Sequence, residues 1–264
     1  MLIDSFPTRL RTLAAATATS LVCAIASAAG VDYGAAIDAA GRQRMLTQRI
    51  VKAYCQIGMG VTPEVSQAQL NGAVRRFDRQ LADLTKIAPN ADAQQAVARL
   101  RVPWTGLRRL ATAPVSREGA QRLAAQSEVV LQAAQHLVVV LQDAAGTPQA
   151  RLVNIAGRQR MLSQRLAKLY MLRAYGVDAP SLRDELDAAR SEFEGALATL
   201  RDAPENTPAI GLELDAVALQ WDWFRGALDL QGTDSFVLVV SDASESILNS
   251  MDLITAKYAA LTSP

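Results

Sequence analysis

Apolar residues recur at three- and four-residue intervals along most of the chain, in segments separated by short stretches of glycine, proline and helix-capping residues. This period is that of an amphipathic α-helix. The pattern predicts helices at about 31–58, 63–88, 91–112, 117–145, 149–175, 181–202, 208–230 and 234–261. Pro103 should kink or split the third helix, because proline cannot continue the hydrogen-bond ladder. Thr62-Pro63 and Thr147-Pro148 have the pattern of an N-cap followed by proline at the first helical position.

The second half of the chain repeats the first after about 116 or 117 positions. The matching residues are Gly41 and Gly157, Tyr54 and Tyr170, Phe77 and Phe193, Trp104 and Trp221, and Glu128 and Glu245. Four predicted helices fall in each copy, and short connections favour antiparallel neighbours. The sequence therefore predicts an all-α protein of two tandem up-down-up-down four-helix bundles, a first domain at 31–146 and a second at 147–264.

The first helix of each copy carries one phrase, AGRQRMLTQRIVKAY from Ala40 and AGRQRMLSQRLAKLY from Ala156. One apolar stripe of this helix, which includes Leu46 and Ile50 in copy one, is expected to pack in the core of its own bundle. A second stripe, the outer seam, has the alternating four- and three-residue spacing of a coiled coil. The outer seam consists of Ile37, Gly41, Arg44, Gln48, Val51 and Cys55 in copy one, and Val153, Gly157, Arg160, Gln164, Ala167 and Met171 in copy two. A second seam predicts a partner outside the helix's own bundle.

The middle of the outer seam is the candidate ligand-binding site. Its residues are Arg44, Arg160, Gly41, Gly157, Gln48 and Gln164. Glycine lets two helices approach closely, and two facing guanidinium groups repel unless something negative lies between them. A small planar oxyanion fits, since each guanidinium donates two parallel hydrogen bonds. In the alternative interpretation these arginines snorkel or pair with acids. Four flanking arginines, Arg42, Arg49, Arg158 and Arg165, are expected to form salt bridges to neighbouring helices.

Composition narrows the function further. The chain has 264 residues with a formal net charge of +1, which gives no electrostatic case for nucleic acid. Residues 1–28 have the basic start, apolar stretch and A-x-A end of a signal peptide cleaved near Ala28, and predict export to the periplasm. An uncleaved N-terminal anchor is the alternative, and only then is a membrane partner expected. No other stretch approaches the roughly 18 apolar residues of a membrane span.

Little else in the sequence indicates chemistry. Cys55 is expected to be a buried small residue, with an intermolecular disulfide as the alternative. His136 is expected to be a satisfied or interfacial histidine, and the third-helix tryptophans Trp104, Trp221 and Trp223 to pack in the core or at its rim. No metal-ligand spacing, phosphate loop or nucleophile with a base is present in the pattern. The prediction is a protein that is not an enzyme, with no cofactor and no metal.

At the repeated phrase the chain resembles the periplasmic sensor domains of the NarX/PilJ type, in two tandem copies. Their motif is close to N-x-A-G-x-x-R-M-x-x-x-R, and copy two matches every defined position with Asn154, Ala156, Gly157, Arg160, Met161 and Arg165. Copy one matches except that Asp38 replaces the asparagine. The resemblance implies a four-helix bundle that dimerises through its first helix and binds nitrate or nitrite between motif arginines, here Arg44 and Arg160. The motif GRQRMLSQR is nearer to the PilJ sequence, whose domain senses signals that govern type IV pili in chemotaxis receptors.

The resemblance implies an exported sensor in signal transduction, with a small anionic ligand and an envelope signalling partner. Because no kinase or methyl-accepting module follows ITAKYAALTSP, the signal is expected to pass through that partner. The alternative is a structural or interaction module of the envelope or pilus. A homodimer remains possible. The Ala145–Pro148 link predicts that helix 149–175 packs beside helix 31–58 and brings Arg44 to Arg160, with end-to-end stacking through a continuous helix as the rival arrangement.

Overall fold

The structure is a computed structural model that describes residues 32–177, 179, 181–230 and 234–261. Within these residues every regular element is an α-helix. The helices are α1 (Tyr33–Gly58), α2 (Pro63–Ile87), α3 (Ala91–Ala111), α4 (Arg117–Ala145), α5 (Pro148–Ala174), α6 (Ser181–Arg201), α7 (Pro208–Asp229) and α8 (Asp234–Ala260). The all-α class is confirmed, and each helix end lies within about two residues of its predicted position. The predicted signal peptide at 1–28 lies outside the described residues.

The capping residues define most of the helix starts. Thr147 accepts a backbone N–H of the first turn of α5 through Oγ1 at 3.2 Å, and Pro148 follows at the first helical position. Thr62 likewise occupies the N-cap position of α2, with Pro63 at the first helical position as predicted. Its side chain, however, makes no capping hydrogen bond, and its φ of 39° lies in the left-handed region. The two Thr-Pro pairs therefore share a position but not a capping hydrogen bond.

Pro103 does not divide its helix. The third helix runs unbroken from Ala91 to Ala111 with Pro103 inside it. The carbonyl oxygen of Pro103 accepts a hydrogen bond from Nε2 of Gln126 on α4 at 2.9 Å. This hydrogen bond joins α3 to α4 at Pro103, and tertiary packing outweighs the local cost of proline.

Each repeat forms a four-helix bundle in which helices adjacent along the chain are in contact. α1 packs on α2 and α4, and α3 packs on α2 and α4; α5 to α8 repeat this arrangement. The stacked rings of Phe77 and Trp104, 3.7 Å between centroids, lie in the core of the first bundle. Phe193 and Trp221 stack in the same way in the second, at 4.2 Å. The repeat in sequence is therefore a repeat in packing.

The two first helices, α1 and α5, lie side by side at the centre of the molecule. Gly41 faces Gly157 at one level, and Gly58 faces the ring of Tyr175 about five turns further along both helices. Because the contacts follow in the same order along both helices, α1 and α5 are parallel. Since each central helix is covered by two helices of its own bundle and by the other central helix, nearly its whole circumference is buried.

The connection between the repeats explains this arrangement. Gly146 ends α4 with a φ of 63°, and α5 begins two residues later at Pro148. The chain turns back here, so the rival arrangement with one continuous helix is wrong and the side-by-side arrangement is correct. The described residues of both repeats belong to one compact unit, Val31–Pro264. The division into domains at 31–146 and 147–264 stays a prediction that rests on the repeat.

Two sequence-based expectations need correction, one about an exposed tryptophan and one about possible membrane spans. Trp223 is 60% exposed on α7, unlike Trp104 and Trp221, so it packs neither in the core nor at its rim. Among the described helices, α4 is long and apolar enough to cross a membrane by length and composition, contrary to the sequence-based expectation. In this fold α4 packs against α1 and α3. His136 is an exposed side chain of α4.

Candidate functional site: a buried arginine pair between the repeats

The motif arginines meet at the contact between α1 and α5. A Cβ atom built on Gly41 would lie 3.3 Å from Nη2 of Arg160 and 3.4 Å from Nη2 of Arg44, and one on Gly157 would lie 3.1 and 3.3 Å from the same atoms. Both guanidinium groups therefore occupy the space that a side chain at either glycine would fill. Both arginines are fully buried. Four of the six predicted site residues are thus brought together.

The other two predicted site residues, Gln48 and Gln164, lie in the same seam but bond elsewhere. Gln48 donates through Nε2 to Thr47 Oγ1 at 2.8 Å, and Gln164 donates to the carbonyl oxygen of Ser244 at 3.1 Å. Both side chains are fully buried. Within the described residues the Oε1 atom of each has no hydrogen-bond partner. These amides line the seam beyond the arginine pair and are not hydrogen-bonded to it.

Arg160 is surrounded by carboxylates, as the alternative interpretation expected. Its Nη1 donates to Oδ1 of Asp252 at 2.6 Å, and its Nη2 forms an ion pair with Oδ1 of Asp38 at 2.7 Å. Arg42 contacts the second oxygen of each carboxylate, at 2.7 Å for Asp252 and 3.3 Å for Asp38. We call these four residues the carboxylate half. Two cations and two anions balance there.

Arg44 occupies the corresponding place in the other repeat, but its acceptors are neutral. Its Nη1 donates to Oε1 of Gln135 at 2.6 Å and to Oδ1 of Asn154 at 2.9 Å. Arg158, the counterpart of Arg42, donates through Nη1 to the same Gln135 oxygen at 3.1 Å. We call Arg44, Arg158, Gln135 and Asn154 the amide half. Its one adjacent carboxylate is Glu192, which pairs with Nε of Arg158.

The electrostatics of the two halves differ accordingly. Burial lowers the pKa of Arg44, and the like charges of Arg158 and Arg160 lower it further, to about 9, although Glu192 opposes the shift. In the carboxylate half, burial raises the pKa of Asp252. Arg160 and Arg42 lower it by more, so this pKa lies below its usual value. The structure thus stabilises one charged cluster internally and leaves the buried charge of Arg44 without a carboxylate partner.

The residues of this site, apart from Asp252, lie within two matches to one family. The model of that family, described as type IV pili methyl-accepting chemotaxis transducer N-term, matches residues 30–136 and again residues 145–240. The chain belongs to the PilJ family. Comparisons with curated proteins and with solved structures give no match. Two matches confirm the two tandem copies inferred from the repeat. PilJ domains are sensory and signalling modules rather than enzymes, typically periplasmic parts of membrane proteins, and such a family implies a partner in chemotaxis signalling.

A second set of charged residues joins the two PilJ repeats. Lys52 on α1 is fully buried and donates to Oε1 of Glu245 on α8 at 2.5 Å, while Arg49 contacts Oε2 of that carboxylate at 2.5 Å. In the symmetric position Lys168 and Arg165 contact Glu128 on α4 at 2.6 and 2.7 Å. Burial lowers the pKa of each lysine despite its carboxylate. We call these two triads the cross-repeat clamps.

The salt bridges expected for the flanking arginines are confirmed. Arg42 and Arg49 pair with α8, Arg158 with α6, and Arg165 with both α4 and α6. Their acceptors and the buried lysines were missed. The same lysine recurs at 52 and 168, and the same glutamate at 128 and 245. This repetition could have predicted the ion pairs, because a charge repeated on an otherwise buried helix needs a repeated partner.

Other chemistry is sparse. Cys55 is fully buried with a free thiol, as expected for a small core residue. Burial raises the pKa of this thiol to about 12 although Lys168 opposes the shift, which keeps it protonated and unreactive. Across the described residues no group of three or more histidine, cysteine or acidic side chains is placed to hold a metal ion.

The carboxylate half should leave a trace in acid unfolding. Asp252→Asn removes the shared carboxylate of Arg160 and Arg42, and we expect a loss of about 2–3 kcal/mol near neutral pH. Because the folded pKa of Asp252 lies below its unfolded value of about 3.9, the stabilisation is present above about pH 4 and lost as the pH falls through the folded pKa. Urea denaturation at several pH values should therefore show the gap to wild type closing in acid. The exposed Asp187→Asn serves as control, and a pH-independent gap would contradict the assignment.

Proposed function

We propose that this PilJ-type chain is an exported sensor module that binds a small oxyanion of the nitrate or nitrite kind at the arginine pair between its repeats. One observation carries the proposal: Arg44 is fully buried beside a second buried guanidinium, and no carboxylate of the described residues contacts it. A buried charge is costly unless it is paired, and a planar oxyanion pairs well with guanidinium. The single chain would hold the site that relatives with one copy build from two subunits.

The remaining features fit a sensing role. Gly41 and Gly157 let the helices approach closely, so a ligand that changes the charge at Arg44 acts directly on the α1–α5 contact. Gln48 and Gln164 lie in the same seam with free carbonyl oxygens. The envelope partner in type IV pili chemotaxis would then read a change in the relative position of the two repeats. Export through residues 1–28 belongs to the same proposal.

Calorimetric titration tests this function. Wild-type protein should bind nitrate or nitrite and release no heat with a neutral molecule of similar size. Arg44→Ala should abolish binding by removing the donor. Arg160→Ala should also abolish it, because Asp38 and Asp252 would then place surplus negative charge beside Arg44. The exposed Arg75→Ala is the matched control and should bind like wild type. Wild-type protein that binds neither anion would rule the proposal out.

A structural or interaction module is the second candidate. It is favoured by the carboxylate half and the cross-repeat clamps, in which buried charges hold the repeats together without a ligand. In that case the arginine pair would be one more internal contact. Anions would then leave the stability of the protein unchanged. Comparing the melting temperature with and without nitrate distinguishes this candidate from an anion sensor.

A further inference from the structure

The two halves of the arginine cluster are related by the repeat, and the relation exposes one difference. Asp252 and Gln135 occupy matching positions on α8 and α4. Each accepts from two arginines through their Nη1 atoms: Asp252 from Arg160 and Arg42 at 2.6 and 2.7 Å, and Gln135 from Arg44 and Arg158 at 2.6 and 3.1 Å. The donors are arginines at equivalent positions of the repeat. At this position the acceptor is a carboxylate in one half and a neutral amide in the other.

The amide half therefore has two amides where its counterpart has two carboxylates, and Glu192 beside Arg158 replaces only one of the two missing negative charges. Two guanidinium groups converge on a single amide oxygen, which is the weaker partner for a cation. The Nε of Arg44 is also buried and has no hydrogen-bond partner within the described residues. Asn154, which replaces Asp38, gives only a second amide oxygen, and its Nδ2 is already bonded to Gln142 at 2.7 Å.

We propose that the amide half is the binding site for one small monovalent oxyanion, which enters beside Gln135 and supplies to Arg44 and Arg158 the charge that Asp252 supplies to Arg160 and Arg42. This inference rests on the proposed function and deepens it. It places the ligand on one side of the α1–α5 contact instead of midway between the motif arginines. It also fixes the stoichiometry at one anion per chain.

A cavity leads to this position. It has a volume of about 300 Å³ and lies between α4, α5 and α6. Gln135 and Arg158 form part of its wall, with Arg165, Glu128, Glu185 and Glu192 around them. Arg44 does not reach the wall, because the Gln135 side chain lies between it and the cavity. Gln135 is only half-buried and lines the cavity, and in this proposal its amide rotates into the cavity and yields its place to the anion.

The charges around the cavity determine which anion is accepted. Four cations and three carboxylates lie at or near the cavity. The cations are Arg44, Arg158, Arg165 and Lys168, and the carboxylates are Glu128, Glu185 and Glu192. The balance is one positive charge, which a monovalent ion neutralises and a divalent ion would exceed. The three carboxylates at the wall oppose the second charge of sulfate. We therefore expect nitrate to bind and sulfate to bind at least tenfold more weakly.

Charging the amide tests the inference in the intact chain. Gln135→Glu keeps the size of the side chain but supplies the missing carboxylate, so nitrate affinity should fall by at least about a hundredfold in calorimetry. The melting temperature without nitrate should rise at the same time. Gln132→Glu is the matched control: it adds the same charge on the same helix and cavity but does not contact Arg44 or Arg158, and it should bind nitrate within about threefold of wild type.

The reciprocal change gives an independent readout. Asp38→Asn combined with Asp252→Asn replaces both carboxylates of the carboxylate half by amides, so the folded double variant should bind two nitrate ions per chain instead of one. Retention of wild-type nitrate affinity by Gln135→Glu would overturn this inference while leaving anion binding at the arginine pair standing. A folded double variant that still binds one ion would also overturn it. Absence of nitrate binding in wild-type protein would instead reject the proposed function itself.

Discussion

Glu245→Gln should destabilise the protein by about 3 kcal/mol or more, because it leaves the buried ammonium of Lys52 without a carboxylate. Lys52 is fully buried and Glu245 is 20% exposed. Breaking a buried ion pair by removing one partner costs about 3–5 kcal/mol, since the remaining charge is desolvated and unpaired. Glutamine keeps the shape and one acceptor oxygen, so the loss measures charge and not packing. Urea denaturation followed by far-UV circular dichroism gives the free energy of unfolding.

Two further variants complete this experiment. Glu185→Gln removes a more exposed carboxylate from Arg165, which retains Glu128, and should cost less than about 1 kcal/mol. Lys52→Met in the Glu245→Gln background should recover most of the loss, because replacing both partners of a buried pair by apolar or neutral groups is often close to neutral. A Glu245→Gln protein within 1 kcal/mol of wild type would contradict the role given to this clamp.

Gly41→Leu is expected to have the second large effect, a destabilisation of about 3 kcal/mol or more. The new side chain would start 3.3 Å from the Arg160 guanidinium and 3.4 Å from that of Arg44, and would extend into the space that both occupy. Overpacking a core costs about 1–3 kcal/mol. Displacing the buried guanidinium groups from Asp252, Gln135 and their other acceptors adds to this cost. Thermal and urea unfolding measure the change in stability.

Gly195→Leu is the matched control for this substitution. Gly195 lies within α6, and a Cβ atom built there would have no atom within 4 Å. Leucine is a better helix former than glycine by up to about 1 kcal/mol, so this variant should be as stable as wild type or slightly more so. If Gly41→Leu proved as stable as Gly195→Leu, the close approach of α1 and α5 at the glycines would be wrong. Nitrate binding should be lost in the first variant and kept in the second.

Because α1 and α5 carry both the arginine pair and the lysines of the clamps, stability and ligand binding share one surface. The anion proposed for the amide half would change the charge at Arg44, which lies about two helical turns from Lys52 along α1. In relatives with a single copy the same surface would lie between two subunits. Fusion of two copies lets the halves diverge, as Asp38 against Asn154 and Asp252 against Gln135 show.

The sequence by itself determined the helices, the repeat and the outer seam. Helical period and turn residues are local properties, so the ends of α1, α4 and α7 could be predicted closely. The seam followed from the spacing of Gly41 and Arg44 along one helix, since a single helix fixes which of its residues share a face. Even the parallel contact of α1 with α5 could be predicted, because Gly146 and Pro148 allow the chain to turn back, although a continuous helix was the rival arrangement.

Only the tertiary structure decided which side chains complete the site. Gln135 and Asp252 lie on fourth helices, 91 and 92 positions from Arg44 and Arg160. Which face of a fourth helix meets the seam depends on the rotation and tilt of packed helices. For the same reason the pairing of Lys52 with Glu245 across the repeats was missed, although both residues were visible as part of the repeat. Pro103 stays inside an unbroken helix because packing in the bundle outweighs a local cost of about 3 kcal/mol. Local sequence properties specified the helices, and long-range packing specified which residues pair with their buried charged side chains.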